Sequence, residues 1–252
     1  MDLFSLKDRV ALITGASRGI GAAVAHLLAE HGAYCILVSR KIEDLQNVVD
    51  MIQDAGGKAE AIACNMGHSE QIQALVQEVD DRFGKLNILV NNAATNPFFG
   101  HMIDADEGIW DKTMDVNLKG PFLMIQRGAR LMAETGGGAI VNVSSVNGER
   151  PGMMQGIYSI SKAAVISMTR AFAKELAPQC IRVNALLPGL TATKFAGALI
   201  HNKELYDYAV RQIPMGRHAE PSEMAGAVLY LVSDAASYTT GACLTCDGGM
   251  LV

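Results

Sequence analysis

The stretch Thr14-Gly15-Ala16-Ser17-Arg18-Gly19-Ile20-Gly21 decides the fold of this chain. It follows an apolar run, Val10–Thr14, that predicts a buried strand, and it opens a helical pattern over Gly19–His31. Glycines here allow a tight turn and a close approach of the backbone to a pyrophosphate, whose charge the helix N-terminus then stabilises. Because a strand precedes the glycines and a helix follows them, the stretch predicts a dinucleotide-binding turn.

The same alternation of strand and helix continues to the end of the chain. The predicted strands are Val10–Thr14, Cys35–Ser39, Ala59–Cys64, Leu86–Asn91, Ala139–Ser144, Arg182–Leu187 and Ala242–Cys246. The predicted helices are Gly19–His31, Glu43–Asp54, Ser69–Phe83, Ile109–Thr135, Gly156–Ala177 and Pro221–Ser233. Repeated β-α-β order predicts an α/β fold, a Rossmann-like doubly wound parallel sheet of about seven strands flanked by helices.

No linker or repeat divides the sequence, so we expect residues 1–252 to form a single catalytic domain. The stretch Gly189–Met215, between a strand and a helix, is too long for an ordinary turn. Long connecting segments of this kind are usually lids or binding loops, so we expect Gly189–Met215 to form a substrate lid.

Composition excludes several classes of function. A net charge of −5 without a basic block makes nucleic acid an unexpected partner. The longest uncharged stretch, Leu86–Ile103, contains asparagines and a proline and cannot span a bilayer. The N-terminus lacks a signal-peptide pattern, and five scattered cysteines predict no disulfide framework, so we expect a cytoplasmic protein. Cys243 and Cys246 stand three apart on a predicted strand, which argues against a metal site.

Tyr158 and Lys162 stand four residues apart in a predicted helix, and so share one helix face. A tyrosine with a pKa near 10 exchanges protons poorly at neutral pH. We expect the neighbouring cation to lower the pKa of Tyr158 toward the useful range for general acid–base catalysis.

Several motifs occur together in one order along the chain. The glycine spacing G-x-x-x-G-x-G is followed by Asn91-Asn92-Ala93-Ala94, Asn117, Ser145, Tyr158-x-x-x-Lys162 and Pro188-Gly189. The set resembles the short-chain dehydrogenase/reductase family, with Ala94 in place of that family's glycine. The resemblance implies a hydride transfer between a nicotinamide and a carbonyl or secondary alcohol, with Tyr158 exchanging the proton.

The same resemblance implies the remaining catalytic roles. Ser145 would hydrogen-bond the carbonyl oxygen, and Asn117 would position a water that links the lysine to solvent. Lys162 would also hold the nicotinamide ribose. The implied cofactor-binding residues are Gly15, Ser17, Arg18, Gly19, Ile20, Gly21, Ser39, Arg40, Lys41, Asn65, Met66, Asn92, Ala93, Ala94, Tyr158, Lys162, Pro188, Gly189, Leu190, Thr191 and Thr193.

The cofactor is predicted to be NADP rather than NAD, without a metal. Family members that use NAD usually carry an acidic residue after the second strand, where this chain has Ser39-Arg40-Lys41. With Arg18, these cations can bind a 2′-phosphate, and no carboxylate at that place repels it. Asn65 stands where the family often has an aspartate that contacts the adenine.

The predicted substrate residues follow the fourth strand, precede Tyr158 or lie on the lid. They are Asn96, Phe98, Phe99, Ser145, Met153, Met154, Gln155, Tyr158 and Phe195. Their mostly apolar character favours a ketone or aldehyde over a sugar, unless they only pack the loops. The stretch 92–100 resembles NADPH-dependent carbonyl reductases of the family found in peroxisomes, although this chain ends in Met-Leu-Val.

Two other functions remain open. A 3-oxoacyl-acyl-carrier-protein reductase shares every motif, and Arg127, Arg130, Arg170 and Lys174 would face the acidic carrier. A nucleotide-sensing regulator would keep the fold without catalysis, but it should have lost Tyr158 or Lys162.

By resemblance we also expect a homotetramer, assembled through Ile109–Thr135, Gly156–Ala177 and Ala242–Val252. This expectation agrees with a charged fraction of only 19%.

Overall fold

The computed structural model describes residues 2–194, 197 and 203–252, and its strands form one seven-stranded, wholly parallel sheet. The strands are β1 (Val10–Thr14), β2 (Tyr34–Ser39), β3 (Lys58–Ala63), β4 (Ile88–Asn91), β5 (Gly138–Val143), β6 (Ile181–Pro188) and β7 (Cys243–Cys246). Their order across the sheet is β3-β2-β1-β4-β5-β6-β7. The predicted doubly wound fold is confirmed.

Helices cover both faces of the sheet. They are α1 (Gly19–Glu30), α2 (Glu43–Asp54), α3 (Ser69–Phe83), α4 (Glu107–Met114), α5 (Gly120–Glu134), α6 (Gly156–Leu176), α7 (Lys203–Val210) and α8 (Pro221–Val232). Successive residues of β1 enter different cores: Leu12 packs with residues of α3 and α5, and Ile13 packs with residues of α1, α2 and α8. A strand buried on both faces has no polar alternation, which explains its continuous apolar sequence.

Two sequence predictions about helices need correction. The predicted single helix Ile109–Thr135 is α4 and α5 joined by one π-helical turn, Asp115–Lys119. The predicted lid, Gly189–Met215, contains a helix, α7, and part of it lies outside the described residues. With only eight residues, the helix Lys203–Val210 is too short to give a clear helical pattern in the sequence.

The strand order reverses beside β1, which pairs with β2 on one side and with β4 on the other. Ligands of open α/β sheets bind outside the carboxyl ends of the strands at such a switch point. The ends of β1 and β4 therefore mark the expected cofactor crevice. None of the described helices is both long and apolar enough to cross a lipid bilayer.

Candidate active site

The turn after β1 is tied to the end of β4 by a small hydrogen-bond network. Thr14 Oγ1 accepts from the backbone N–H groups of Asn92 and Ala93, at 3.0 and 3.1 Å. Asn92 Nδ2 donates to the carbonyls of Thr14 and Gly15, at 2.9 and 3.1 Å. Thr14 was not among the predicted site residues, although its place at a strand end, before the first glycine, could have indicated it.

Two glycines of this turn are required by space and backbone conformation. Gly15 has a φ of +67°, and a Cβ there would lie 2.9 Å from the Ala93 Cα. A Cβ at Gly21 would collide with the Gly15 carbonyl. Because these two positions carry no side chain, a pyrophosphate can approach the backbone closely and lie at the N-terminus of α1, as in dinucleotide-binding proteins. Ser17 and Ile20 are half-buried in the same turn, and Arg18 is exposed at the start of α1.

The segment after β6 reaches this turn from the other side. The N–H of Gly189 donates to the carbonyl of Cys246, and Thr191 pairs with Ala219 in a parallel bridge. Thr193 comes so close to the glycine turn that a Cβ at Gly19 would lie 3.1 Å from its Cγ2. The predicted residues Pro188, Leu190, Thr191 and Thr193 thus follow one path, from the end of β6 to the cofactor turn.

Ser39 is the last residue of β2, and Arg40 and Lys41 follow it directly. Ser39 Oγ donates to the carbonyl of Lys41 at 3.0 Å, while the side chains of Arg40 and Lys41 are exposed. Arg40 and Lys41 line an open depression together with Glu43 and Asp44, from the first turn of α2. The expectation that no carboxylate stands near these cations therefore needs correction, because the first turn of α2 folds back beside them.

Asn65 and Met66 follow β3 on the same side of the sheet. The Asn65 Oδ1 accepts from the N–H of Gly67 at 3.1 Å, and its backbone N–H donates to the Gln71 Oε1. Asn65 therefore uses its carbonyl oxygen to form a local turn, which leaves Nδ2 as the group that can contact an adenine. Met66 is buried, and a Cβ at Gly120 would collide with its carbonyl.

Tyr158, Lys162 and Ser145 come together at the carboxyl end of β5. Tyr158 and Lys162 lie on α6 and are both buried, and the tyrosine hydrogen-bonds with Ser145. Lys162 Nζ is 5.6 Å from the centroid of the Tyr158 ring and donates to the carbonyl of Val143 at 2.7 Å. Tyr158 and Lys162 therefore lie close together on α6, as their spacing predicts, and the lysine has a main-chain acceptor that no side-chain pattern could reveal.

Burial moves the pKa values of the pair in opposite directions. It raises the pKa of Tyr158 to about 12, although the hydrogen bond with Ser145 opposes the rise. It lowers the pKa of Lys162 to about 8, because the charged form is the one that loses hydration. The expectation of a lowered tyrosine pKa is thus wrong for this structure, where desolvation outweighs the lowering by the hydrogen bond with Ser145.

Asn117 lies in the π-helical turn and is almost wholly buried. Its Oδ1 accepts from the N–H of Thr95 at 2.7 Å, and its Nδ2 donates to the Thr95 carbonyl and to Ser161 Oγ, at 2.9 and 3.1 Å. Both N–H donors of the carboxamide are therefore used within the protein. Asn117 thus joins Thr95, after β4, to Ser161 of α6, which is the residue directly before Lys162.

The predicted substrate residues form two loops that meet beside Tyr158. Asn96 Nδ2 donates to Gln155 Oε1, and the N–H of Gly100 donates to the Met154 carbonyl. The larger apolar side chains are exposed, since the exposed fraction is 77% for Met153, 58% for Phe99 and 41% for Met154. Phe98 instead folds over Gly100, and Phe195 lies outside the described residues.

Asn147 was missed by sequence analysis. Its N–H donates to Ser145 Oγ at 3.1 Å and its Nδ2 to Gln155 Oε1 at 3.3 Å, so it connects the two predicted groups. Ser161, which binds Asn117, was also missed. Asn147 stands two residues after Ser145, in a turn-forming position, and this spacing was the only available signal.

Comparisons with known proteins agree with this geometry. A family model described as Enoyl-(Acyl carrier protein) reductase matches residues 15–251. Dehydrogenase/reductase SDR family member 4 of Sus scrofa is 40% identical, over 97% of this chain and 88% of its own length. The 3-oxoacyl-acyl-carrier-protein reductase of Thermotoga maritima is 38% identical, over 98% of this chain and 99% of its own.

Among solved structures, a gluconate 5-dehydrogenase from Burkholderia cenocepacia in complex with NADP and tartrate has a TM-score of 0.94. It is 33% identical and covers 99% of this chain and 97% of its own. The chain therefore belongs to the short-chain dehydrogenase/reductase family. It is an oxidoreductase of that family, acting on CH–OH substrates or the corresponding carbonyls.

Proposed function

We propose that this protein is an NADP(H)-dependent carbonyl reductase, or secondary-alcohol dehydrogenase, that uses Tyr158 as proton donor and acceptor. The observation that carries the proposal is the buried contact of Tyr158 with Ser145 beside the Lys162 ammonium. The whole chain serves this reaction as one catalytic domain, because the cofactor turn and the proton donor lie at the same edge of one sheet. A bound nicotinamide cofactor supplies or accepts the hydride.

The protein's own groups manage the proton. With a pKa near 12, Tyr158 is protonated at neutral pH and can give its proton to a carbonyl oxygen. The Ser145 hydroxyl stabilises the negative charge that develops on that oxygen. The Lys162 ammonium, 5.6 Å from the ring centroid in a dry site, then stabilises the phenolate that remains. Asn117 fixes the π-helical turn against α6 and so holds the lysine's helix in place.

Tyr158→Phe tests the assignment of the proton donor. The variant is expected to lose about 10²- to 10⁴-fold in kcat, the usual contribution of a general acid, while binding NADPH as before. Tyr238→Phe is the matched control, because Tyr238 is fully exposed. Ketone reduction by Tyr158→Phe at the parental rate would refute the assignment. If the parental protein binds NADPH but turns over no carbonyl compound, the result would favour a nucleotide-sensing regulator.

The preference for NADP is supported by Arg40 and Lys41, which line the depression after β2 together with two carboxylates of α2, and by Arg18, which is exposed at the start of α1. Solved relatives that contain NADP add to this support. We expect a higher kcat/KM with NADPH than with NADH. Arg40→Asp should lower the ratio of the two about 10- to 100-fold, since charge-assisted hydrogen bonds contribute about 1.5–3 kcal/mol.

Lys58→Asp is the control for that charge change, because Lys58 is exposed at the opposite end of the sheet. An equal loss of the ratio in both variants would show a general charge effect rather than a phosphate contact. A higher kcat/KM with NADH in the parental protein would overturn the NADP proposal itself.

A second candidate function is reduction of 3-oxoacyl thioesters, favoured by the 38% identity to the reductase of Thermotoga maritima. Of the cations that would meet an acidic carrier, Arg130 is exposed, and Arg127 Nη1 is buried with no hydrogen-bond partner among the described residues. Steady-state rates on acetoacetyl thioesters and on simple aryl ketones separate the candidates. A strong preference for the thioesters would establish the second.

A further inference from the structure

Three carboxamide side chains meet beside the proton donor. Gln155 Oε1 accepts from Asn96 Nδ2 at 3.4 Å and from Asn147 Nδ2 at 3.3 Å. Gln155 is the residue before α6 and stands three positions before Tyr158, and the N–H of Asn147 donates to Ser145 Oγ at 3.1 Å. The cluster is therefore connected to both residues that contact the reacting oxygen in the proposed mechanism.

The surrounding backbone fixes this cluster. A Cβ at Gly152 would lie 2.8 Å from Asn147 Nδ2, so a bare backbone covers that carboxamide. Met154 has a φ of +60°, a left-handed conformation that costs about 1–2 kcal/mol for a residue with a side chain, and it turns the chain so that Gln155 follows. The bond from the Gly100 N–H to the Met154 carbonyl, at 2.9 Å, holds that turn against the opposite loop.

The orientation of Gln155 leaves its donors pointing away from the cluster. Because Oε1 accepts from both asparagines, the two N–H groups of Nε2 point away from them, and among the described residues they meet no acceptor. Gln155 is only half-buried, so water satisfies these donors before a substrate enters. A purely hydrocarbon substrate would displace that water without replacing its hydrogen bonds, which is unfavourable.

We infer that Gln155 determines substrate specificity by donating a hydrogen bond from Nε2 to an oxygen beside the reacting carbonyl. The favoured substrates are then ketones with an oxygen substituent on the neighbouring carbon. The choice of a neighbouring position rests on Asn147, which hydrogen-bonds both Ser145 Oγ and Gln155 Oε1 and so connects the carboxamide cluster to the residue that would contact the reacting oxygen. The exposure of Phe99 and Met153 agrees, since those side chains build no closed apolar wall. The inference rests on the proposed carbonyl reduction.

Methoxyacetone and 2-pentanone provide the test, because they differ only by an ether oxygen in place of a methylene group. The oxygen also activates the carbonyl, so the measured quantity is the change in the ratio of their kcat/KM values between variants. Gln155→Leu should lower the ratio of methoxyacetone to 2-pentanone about tenfold, the effect of one lost hydrogen bond of about 1.4 kcal/mol. The change should be mainly in KM, since the contact forms when the substrate binds.

Two further variants make the result decisive. Gln155→Glu keeps the shape but offers only acceptors, so it should lower the ratio as well, and it replaces Gln155→Leu if that variant does not fold. Gln73→Leu removes an exposed carboxamide from α3 and should leave the ratio unchanged. If Gln155→Leu or Gln155→Glu reduces both ketones with the parental ratio of kcat/KM values, the inference is overturned and the proposed function is not. Reduction of neither ketone by the parental protein would instead refute the proposed function.

Discussion

Replacing Lys162 by methionine removes a buried ammonium and keeps most of the apolar stem. Burial lowers the pKa of Lys162 from an ordinary 10.5 to about 8 in the folded protein. The unfolded chain therefore binds more protons than the folded one between these two values, and the lysine's contribution to stability rises with pH across that window. Below pH 8 the folded protein carries the full cost of the buried charge.

The size of the effect follows from the two pKa values. Integration of the proton difference gives a gain of about 2 kcal/mol in the free energy of unfolding between pH 7 and pH 9.5. Lys162→Met has no such group, and the carbonyl of Val143 loses its partner at every pH alike. The difference in stability between the parental protein and the variant should thus change by about 2 kcal/mol over this range, in favour of the parent at high pH.

Urea unfolding at fixed protein concentration, at pH 7, 8, 9 and 9.5, measures this difference. Other titrating groups contribute nearly equally to both proteins and cancel. Lys174→Met is the control, because Lys174 is an exposed lysine on the last turn of the same helix. A stability difference between the parent and Lys162→Met that stays constant with pH within about 0.5 kcal/mol would refute the argument that burial lowers the pKa of this lysine.

Three further results are expected. Ser145→Ala should lower kcat about 10²-fold, as loss of an oxyanion donor does. It should also raise the pH above which ketone reduction declines, because the serine opposes the rise in the pKa of Tyr158. An unchanged pH limit would contradict the contact between the two residues. Gly21→Ala should cost about 1–3 kcal/mol of stability and weaken NADPH binding, whereas Gly226→Ala, with open space at its Cβ, should be neutral or stabilising by denaturant unfolding. Sedimentation at micromolar concentration should show a tetramer, and a 26.8 kDa monomer would refute that assembly.

The sequence allowed the sheet to be predicted because its signals are local. A strand such as β1 is buried on both faces and reads as an unbroken apolar run, and the helices that follow carry apolar stripes. The spacing of Tyr158 and Lys162 similarly fixes their shared helix face. The desolvation of Tyr158 could not be predicted from this spacing, and it raises the pKa of the tyrosine although the hydrogen bond with Ser145 opposes the rise.

The π-helical turn at Asp115–Lys119 is a feature that depends on tertiary contacts rather than on the local sequence pattern. The sequence 109–135 predicts one continuous helix, but a π turn, which accommodates an extra residue, interrupts it at this point. Asn117 makes the difference, because its carboxamide bonds both main-chain groups of Thr95 and the hydroxyl of Ser161. These partners lie 22 and 44 residues away, so no window of sequence around Asn117 contains them. The helix is therefore distorted where the chain after β4 is joined to α6, and this junction holds the helix that carries Tyr158.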